Sequence, residues 1–497
     1  MSHAPAWLVS MVLHVIVLLT MALIVTPTPE KAGIKTIESP PTESVEEVEE
    51  LKPVEIPDDV ESVEDQTEIT EAPEAVAIES VEVVSEANDL AASEISVDVN
   101  DIAADISMST DLLKTIGGQS GGSKTGFAAR SDTGAQKAMI KAGGGNPDEI
   151  IRAVESSCEW FKKHQMPDGG WSFDFRQCPG CMGKCKNPER DSHLNDRAAA
   201  TALALLPMLG QGYTHMAQGS KGKYRQVMDK GLAFLSQAAL AGNGKAYVSG
   251  NKGGNMYSQG LAGIVLSEAY GMTKDKRLMA PAQAAITFIM ASQDPVGGGW
   301  RYNPRQPGDT SAVCWQVMAL KSGLMSGLQV DPYVVRKVST FLDHVQSDDG
   351  SAYGYIDPSK NFRASTTGAG LLCRMFTSWK KENDALINGA KRLAKGGPSR
   401  DMYAAYYTTQ VLYHLKQQLP TEWEDWQRKM SKMLIEAQVT DGHQSGSYYE
   451  GFSSGHAPGV GGRIYVTSMA TMTLEVYFKH GLPLYQDSGK DVDTFVE

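Results

Sequence analysis

Two groups of residues have types and spacings suited to chemistry. The first is Cys178-Pro-Gly-Cys181-Met-Gly-Lys-Cys185 followed by His193, with Cys158 upstream. Three thiolates and an imidazole this close along the chain can wrap one tetrahedral zinc ion, a structural zinc with no open catalytic position. A disulfide is the competing reading, and an oxidising compartment favours it. Either bond pins a loop, and no other cofactor is expected. Cys314 and Cys373 fall on apolar helical faces and read as small core residues.

The second group is aromatic and charged. Asp309, Tyr403 and Arg363 suit proton transfer, while Trp300, Tyr302, Trp315, Tyr257, Tyr406, Tyr407, Arg463 and Tyr465 supply rings and charge that hold a ligand. Tyr and Arg together suit a lipid head group or a glycan, and Tyr with Arg or His also suits β-elimination on an acidic sugar. The competing reading is architectural: Asp caps helices, Arg satisfies loop carbonyls, and Tyr and Trp pack hairpin to hairpin.

The elements that must position these residues repeat. Gly297 to Gly323 delivers Trp300 and Tyr302 in a Gly/Pro-rich loop, then starts a helix at Asp309 with Val313, Val317, Leu320 and Leu324 on one face. Ala282 to Ser292 is helical in pattern and ends at Gln293. Comparable loop-and-helix markers at Thr201, Ser258, Ser311, Thr366, Thr408 and Thr467 predict six helical hairpins. A glutamine is expected to close the first helix of five of them: Gln165, Gln237, Gln293, Gln346 and Gln438.

The spacing Phe161-x3-Gln165-x3-Gly169-x-Trp171, repeated as Ile289-x3-Gln293-x4-Gly298-x-Trp300 and more weakly as Leu342-x3-Gln346-x3-Gly350, resembles the QW repeat of squalene–hopene cyclases. It is also similar to protein prenyltransferase β-subunits. The resemblance spans about residues 147–485 and implies an all-α fold, an (α/α)6 toroid with inner helices around a cavity. The same resemblance argues against the family chemistry. The cyclase Asp-x-Asp-Asp-Thr-Ala segment reads Gln306-Pro307-Gly308-Asp309-Thr310-Ser311 here, so Gly308 stands where the proton donor would be. The zinc ligands of the prenyltransferases are replaced by Ser311 and Ala404. The implied function is an apolar or isoprenoid-like ligand bound without cyclisation, with a lyase- or transferase-like enzyme using the Tyr/Arg residues at the cavity mouth as the alternative. His443 and His456 flank a Gly-rich final loop long enough to cover that mouth.

The N-terminal part differs in composition. Ala6 to Val25 holds no Asp, Glu, Lys or Arg and is long enough to cross a bilayer, so residues 1–25 read as a single-pass anchor in the inner (cytoplasmic) membrane, with the ring on the periplasmic or extracytoplasmic side. Ser10 and His14 share a face of that segment, and with the Pro/Glu-rich stretch that follows they resemble the anchor of TonB-type energy transducers. That resemblance implies a proton-channel partner and makes a third function possible, a cell-envelope interaction protein. Residues 26–146 read as a disordered linker ending in a Gly-rich joint with Arg130, Lys137 and Lys141, and 486–497 as a tail. Residues 41–110 carry 22 Asp/Glu against Lys52 alone, a balance of −21 in a chain of net −13, which leaves +8 elsewhere. The acidic charge therefore belongs to the linker. Scattered basic residues and the absence of a Walker or dinucleotide loop give no support for nucleic-acid or nucleotide binding.

Overall fold

The computed structural model describes residues 127–188, 194–247, 253–452 and 458–479. The expected anchor with Ser10 and His14, the acidic stretch, His193, His456 and the tail lie outside them. Among the described residues no helix is long and apolar enough to cross a membrane.

Two short helices, α1 (Ala128–Ser131) and α2 (Thr133–Ala142), precede the repeats. The paired helices are α3 (Pro147–Lys163) with α4 (Arg197–Gly210), α5 (Arg225–Ala241) with α6 (Met256–Thr273), α7 (Lys276–Ala291) with α8 (Thr310–Ser326), α9 (Pro332–Val345) with α10 (Ala364–Thr377), α11 (Asp384–Lys395) with α12 (Met402–His414), and α13 (Pro420–Ala437) with α14 (Pro458–Leu474). A last turn, α15 (Val476–Lys479), ends the described chain. A two-residue antiparallel ladder, β1 (Gln346–Ser347) on β2 (Ala352–Tyr353), decorates the fourth hairpin.

The second helices pack α4 to α6, α6 to α8, α8 to α10, α10 to α12, α12 to α14, and α14 back to α4. The ring is closed. Most residues of α4, α6, α8 and α12 are buried, as expected for helices enclosed by their neighbours. The first helices lie outside them and are amphipathic. In α3, Asn146 caps the Asp148 and Glu149 amides, Pro147 sits in the first turn, and Lys162 and Lys163 complement the dipole at the end.

The repeat signature has one physical meaning. Trp171 Nε1–H donates to the Phe161 carbonyl at 2.8 Å, and Trp300 Nε1–H donates to the Ile289 carbonyl at 2.8 Å. Gln165 Nε2 donates to the carbonyls of Gly169 and of Val227 in the next outer helix, and Gln293 does the same to Gly298 and Val334. Gln438 closes the ring with Gly446 and with Ala153 of the first hairpin. Each glutamine thus satisfies a loop carbonyl and staples one hairpin to the next. The loop glycine has positive φ and its missing side chain lets the neighbouring helix approach: a Cβ on Gly298 would lie 2.2 Å from the Lys337 carbonyl oxygen.

Two expectations are corrected. Gln237 does not close a helix, because α5 runs on to Ala241 and leaves it exposed. Its task falls to Gln259 on α6, whose amide donates to the carbonyls of Gly244 and Ala285. The linker also ends before Pro147. α1 and α2 pack onto the ring, and Arg130, expected in a flexible joint, is fully buried.

Candidate functional site

The N-terminal ends of the inner helices meet at one mouth. Asp309 caps α8 by accepting the Ala312 amide on Oδ1 at 2.8 Å, and the same oxygen accepts the Tyr257 hydroxyl at 3.0 Å. Its other carboxylate oxygen is buried without a hydrogen-bond partner among the described residues. Burial raises the Asp309 carboxyl above its ordinary range, opposed by the Ala312 amide, the Tyr257 and Tyr355 hydroxyls and the Arg301 charge.

Above Asp309 the tyrosines form a cage. The hydroxyls of Tyr302 and Tyr355 hydrogen-bond at 3.0 Å, Tyr257 lies 5.9 Å from the Tyr302 ring, and the Arg301 guanidinium sits 5.5 Å over Tyr302 and 6.0 Å over Tyr355. Tyr403 donates to the Ser311 carbonyl at 3.3 Å. Tyr302 is 42% exposed and forms the outer rim. Desolvation pushes the hydroxyls of Tyr257, Tyr355 and Tyr403 upward, so they keep their protons at neutral pH and donate rather than act as bases.

Tyr355 was not singled out by the sequence. Its signal was nonetheless present, because Tyr353-Gly-Tyr355 in the fourth hairpin stands in the register of Trp300-Arg-Tyr302 in the third. Thr310 locks the two loops together by donating to the Gly354 carbonyl at 2.7 Å.

The other expected site residues have varied surroundings. Trp300 is wholly buried with its N–H on the Ile289 carbonyl. Arg463 is buried against Ser447 and Glu450 and stacks over Tyr449, so its charge is engaged within the last loop. Arg363 is exposed at the start of α10 and makes no side-chain cap. Tyr465 is half-buried with its hydroxyl unpartnered among the described residues. Gly308 explains the missing acid sterically: a Cβ there would lie 2.8 Å from both the Phe341 ring and the Gly299 Cα.

Below the mouth, Trp315 stacks on Tyr406 at 6.0 Å and meets Tyr407 at 5.9 Å. The cavity lined by Leu206, Ile264, Glu268, Trp315, Met318, Tyr406, Met472 and Lys479 has about 10 Å³, roughly the room one water needs. The far end holds buried charge: Arg130 donates to Glu268 at 2.7 Å and to the Lys479 carbonyl at 2.5 Å, while Lys479 Nζ lies 3.8 Å from Glu475. Burial pushes the Glu475 carboxyl up to about 8.

The cysteine-rich insertion of the first hairpin folds against the last hairpin. Cys181 and Cys185 come together with His164 at the end of α3 and His443 in the final loop. Cys178 turns its sulfur to the His164 carbonyl at 3.5 Å, and Cys314 and Cys373 are buried core thiols, as their apolar faces suggest.

No family model matches the chain, and no curated protein does. Among solved structures, the chain is similar to a cellobiose 2-epimerase from Spirochaeta thermophila at 11% identity and TM-score 0.48, over 72% of this chain and 98% of that one. An α-1,6-mannanase of Salegentibacter in complex with α-1,6-mannotriose gives 11% identity and TM-score 0.45, over 66% and 99%. The type II terpene cyclase MstE from Scytonema, in complex with geranylgeranyl dihydroxybenzoate, gives 12% identity and TM-score 0.43, over 67% and 98%. At such scores these likenesses carry no argument about chemistry, and the closed ring rests on this chain's own helix packing.

Proposed function

We propose that the ring binds a hydroxyl-rich ligand of the saccharide class at its tyrosine-lined mouth and that Asp309 moves a proton there. The observation that carries this reading is the Asp309 carboxyl itself, buried, raised, half-unpartnered and set beneath the Tyr257, Tyr302 and Tyr355 hydroxyls. Aromatic faces with hydroxyl and guanidinium donors suit a sugar, whose rings are apolar on their faces and polar at their edges. A buried carboxylic acid raised above its ordinary range suits general-acid work. The raised tyrosine hydroxyls weigh against a Tyr-led elimination. An isoprenoid chain is the second reading, favoured by Leu206, Ile264, Trp315, Met318 and Met472 in the bore, but Glu268 and Lys479 also line it and about 10 Å³ admits a chain only if Trp315, Met318 or Tyr406 moves.

Calorimetric titration of the full chain with neutral and uronic-acid oligosaccharides tests the proposal. We expect at least one class to bind, with affinity falling tenfold or more in Tyr302→Ala and with a flattened pH dependence in Asp309→Asn, which keeps the helix cap. Binding by neither class, or binding untouched by Tyr302→Ala, overturns it. In the same proposal residues 6–25 tether the ring to the cytoplasmic membrane, and Ser10 and His14 face a proton-channel partner; a chain that fractionates away from membranes would exclude the tether.

A further inference from the structure

The insertion after Trp171 and the loop of the last hairpin meet at a cluster that the mouth does not use. One ligand atom each from His164, Cys181, Cys185 and His443 lie within 4.8 Å of one another, and the first three of these residues are buried. Cys185 Sγ is 3.4 Å from His164 Nε2. Around a tetrahedral zinc ion, sulfur and nitrogen ligands sit roughly 3.3–3.8 Å apart, so shifts of about 1 Å close the shell.

The protonation pattern already suits a metal. His164 Nδ1 is 2.7 Å from the Trp160 carbonyl, and because that oxygen can only accept, Nδ1 carries the proton and Nε2 presents its lone pair to the cluster. A ligating histidine is usually oriented by such a carbonyl. His443 Nε2 is buried with no hydrogen-bond partner among the described residues, which is costly for a ring nitrogen unless something fills the site. The Cys185 amide donates to Cys181 Sγ at 3.3 Å, a bond that strengthens when the sulfur is a thiolate. The His164 and His443 rings stand 5.1 Å apart, edge to face, leaving their nitrogens free to converge.

We propose that His164, Cys181, Cys185 and His443 bind one divalent zinc-class cation. Two thiolates and two neutral imidazoles complete its tetrahedron, so the ion is structural. Binding releases the two thiol protons to solvent and forms two sulfur–metal and two nitrogen–metal bonds without redox change. The site joins the first hairpin to the last at the seam of the ring, beside the contacts Ser157 to Gly446 and Gln444 to Lys184. Sequence spacing alone pointed to Cys178 and His193 as the third and fourth ligands. In the fold the cluster instead draws His164 and His443, and the sulfur of Cys178 is turned to a backbone carbonyl.

Metal analysis of the full chain, purified reduced and without chelator, tests this, together with titration of the metal-free protein by cobalt(II). We expect about one zinc per chain and, with cobalt, the visible bands of a tetrahedral ion plus a thiolate charge-transfer band. Cys181→Ser and His443→Ala should lose at least nine-tenths of the metal, and Cys178→Ser and His193→Ala should keep it. The wild-type cobalt spectrum needs no variant to fold. A wild type that takes up no tetrahedral cobalt, a Cys181–Cys185 disulfide in the reduced and purified chain, or metal retained in His443→Ala but lost in His193→Ala overturns the assignment.

Discussion

Gly308 and Asp309 are neighbours with opposite constraints. Asp309 is held by the α8 cap and the Tyr257 hydroxyl, whereas Gly308 is pressed between Phe341 and Gly299. Restoring an acid by Gly308→Asp should therefore destabilise the ring by about 1–3 kcal/mol through overpacking and leave no cyclising acid, as chemical denaturation and product analysis would show. Glu475 gives a pH prediction. Its folded-state pKa is raised from 4.5 to about 8, so the folded protein holds the proton more tightly than the unfolded chain, and stability falls as pH rises through that window. The Glu475→Gln protein should equal the wild type near pH 4 and melt a few degrees higher near pH 8, measured by calorimetry at both pH values. Asp309 and most of the tyrosine cage were readable from residue type and position. Glu475 was not, because nothing in the local sequence of α14 and α15 signals that it ends in a buried bore.

The repeated glutamine is the device that turns hairpins into a ring. Gln293→Ala leaves the Gly298 and Val334 carbonyls without their donor and should cost about 1–3 kcal/mol, while Gln237→Ala, on an exposed face, should stay within about 0.5 kcal/mol in the same urea unfolding experiment. The QW spacing made Gln165 and Gln293 legible, since residue type and the following glycine and tryptophan recur, and Gln438 was legible from its place at the end of a first helix. Gln259 was hidden because it performs the same task from an inner helix, where sequence spacing carries no trace of the substitution. That Cys181 and Cys185 meet His443 escaped for a related reason: His443 is far from the cysteines along the chain, and only ring closure brings it near.

At the scale of the whole molecule, the helices Ala128–Ser131 and Thr133–Ala142 belong with the ring. Arg130 reaches Glu268 across 138 residues of sequence and helps seal the end of the bore opposite the mouth. Composition placed it in a linker, because a Gly-rich stretch with scattered basic residues looks solvated until its partner carboxylate is found. Arg130→Ala should leave Glu268 buried without its guanidinium partner at a cost of about 3–5 kcal/mol, checked by denaturant unfolding. One end sealed by charge, Trp315 and Tyr406 packed inside the bore, and an aromatic mouth at the other end are the premises of the proposal that ligands bind at the mouth. Hydroxyl-radical footprinting of the full chain with oligosaccharide and, separately, with a prenyl diphosphate tests this most directly. The account predicts protection of Tyr302 and Tyr355 by the saccharide alone; protection by the prenyl diphosphate, or changed reactivity at Trp315 and Met318 with the mouth tyrosines untouched, would contradict it.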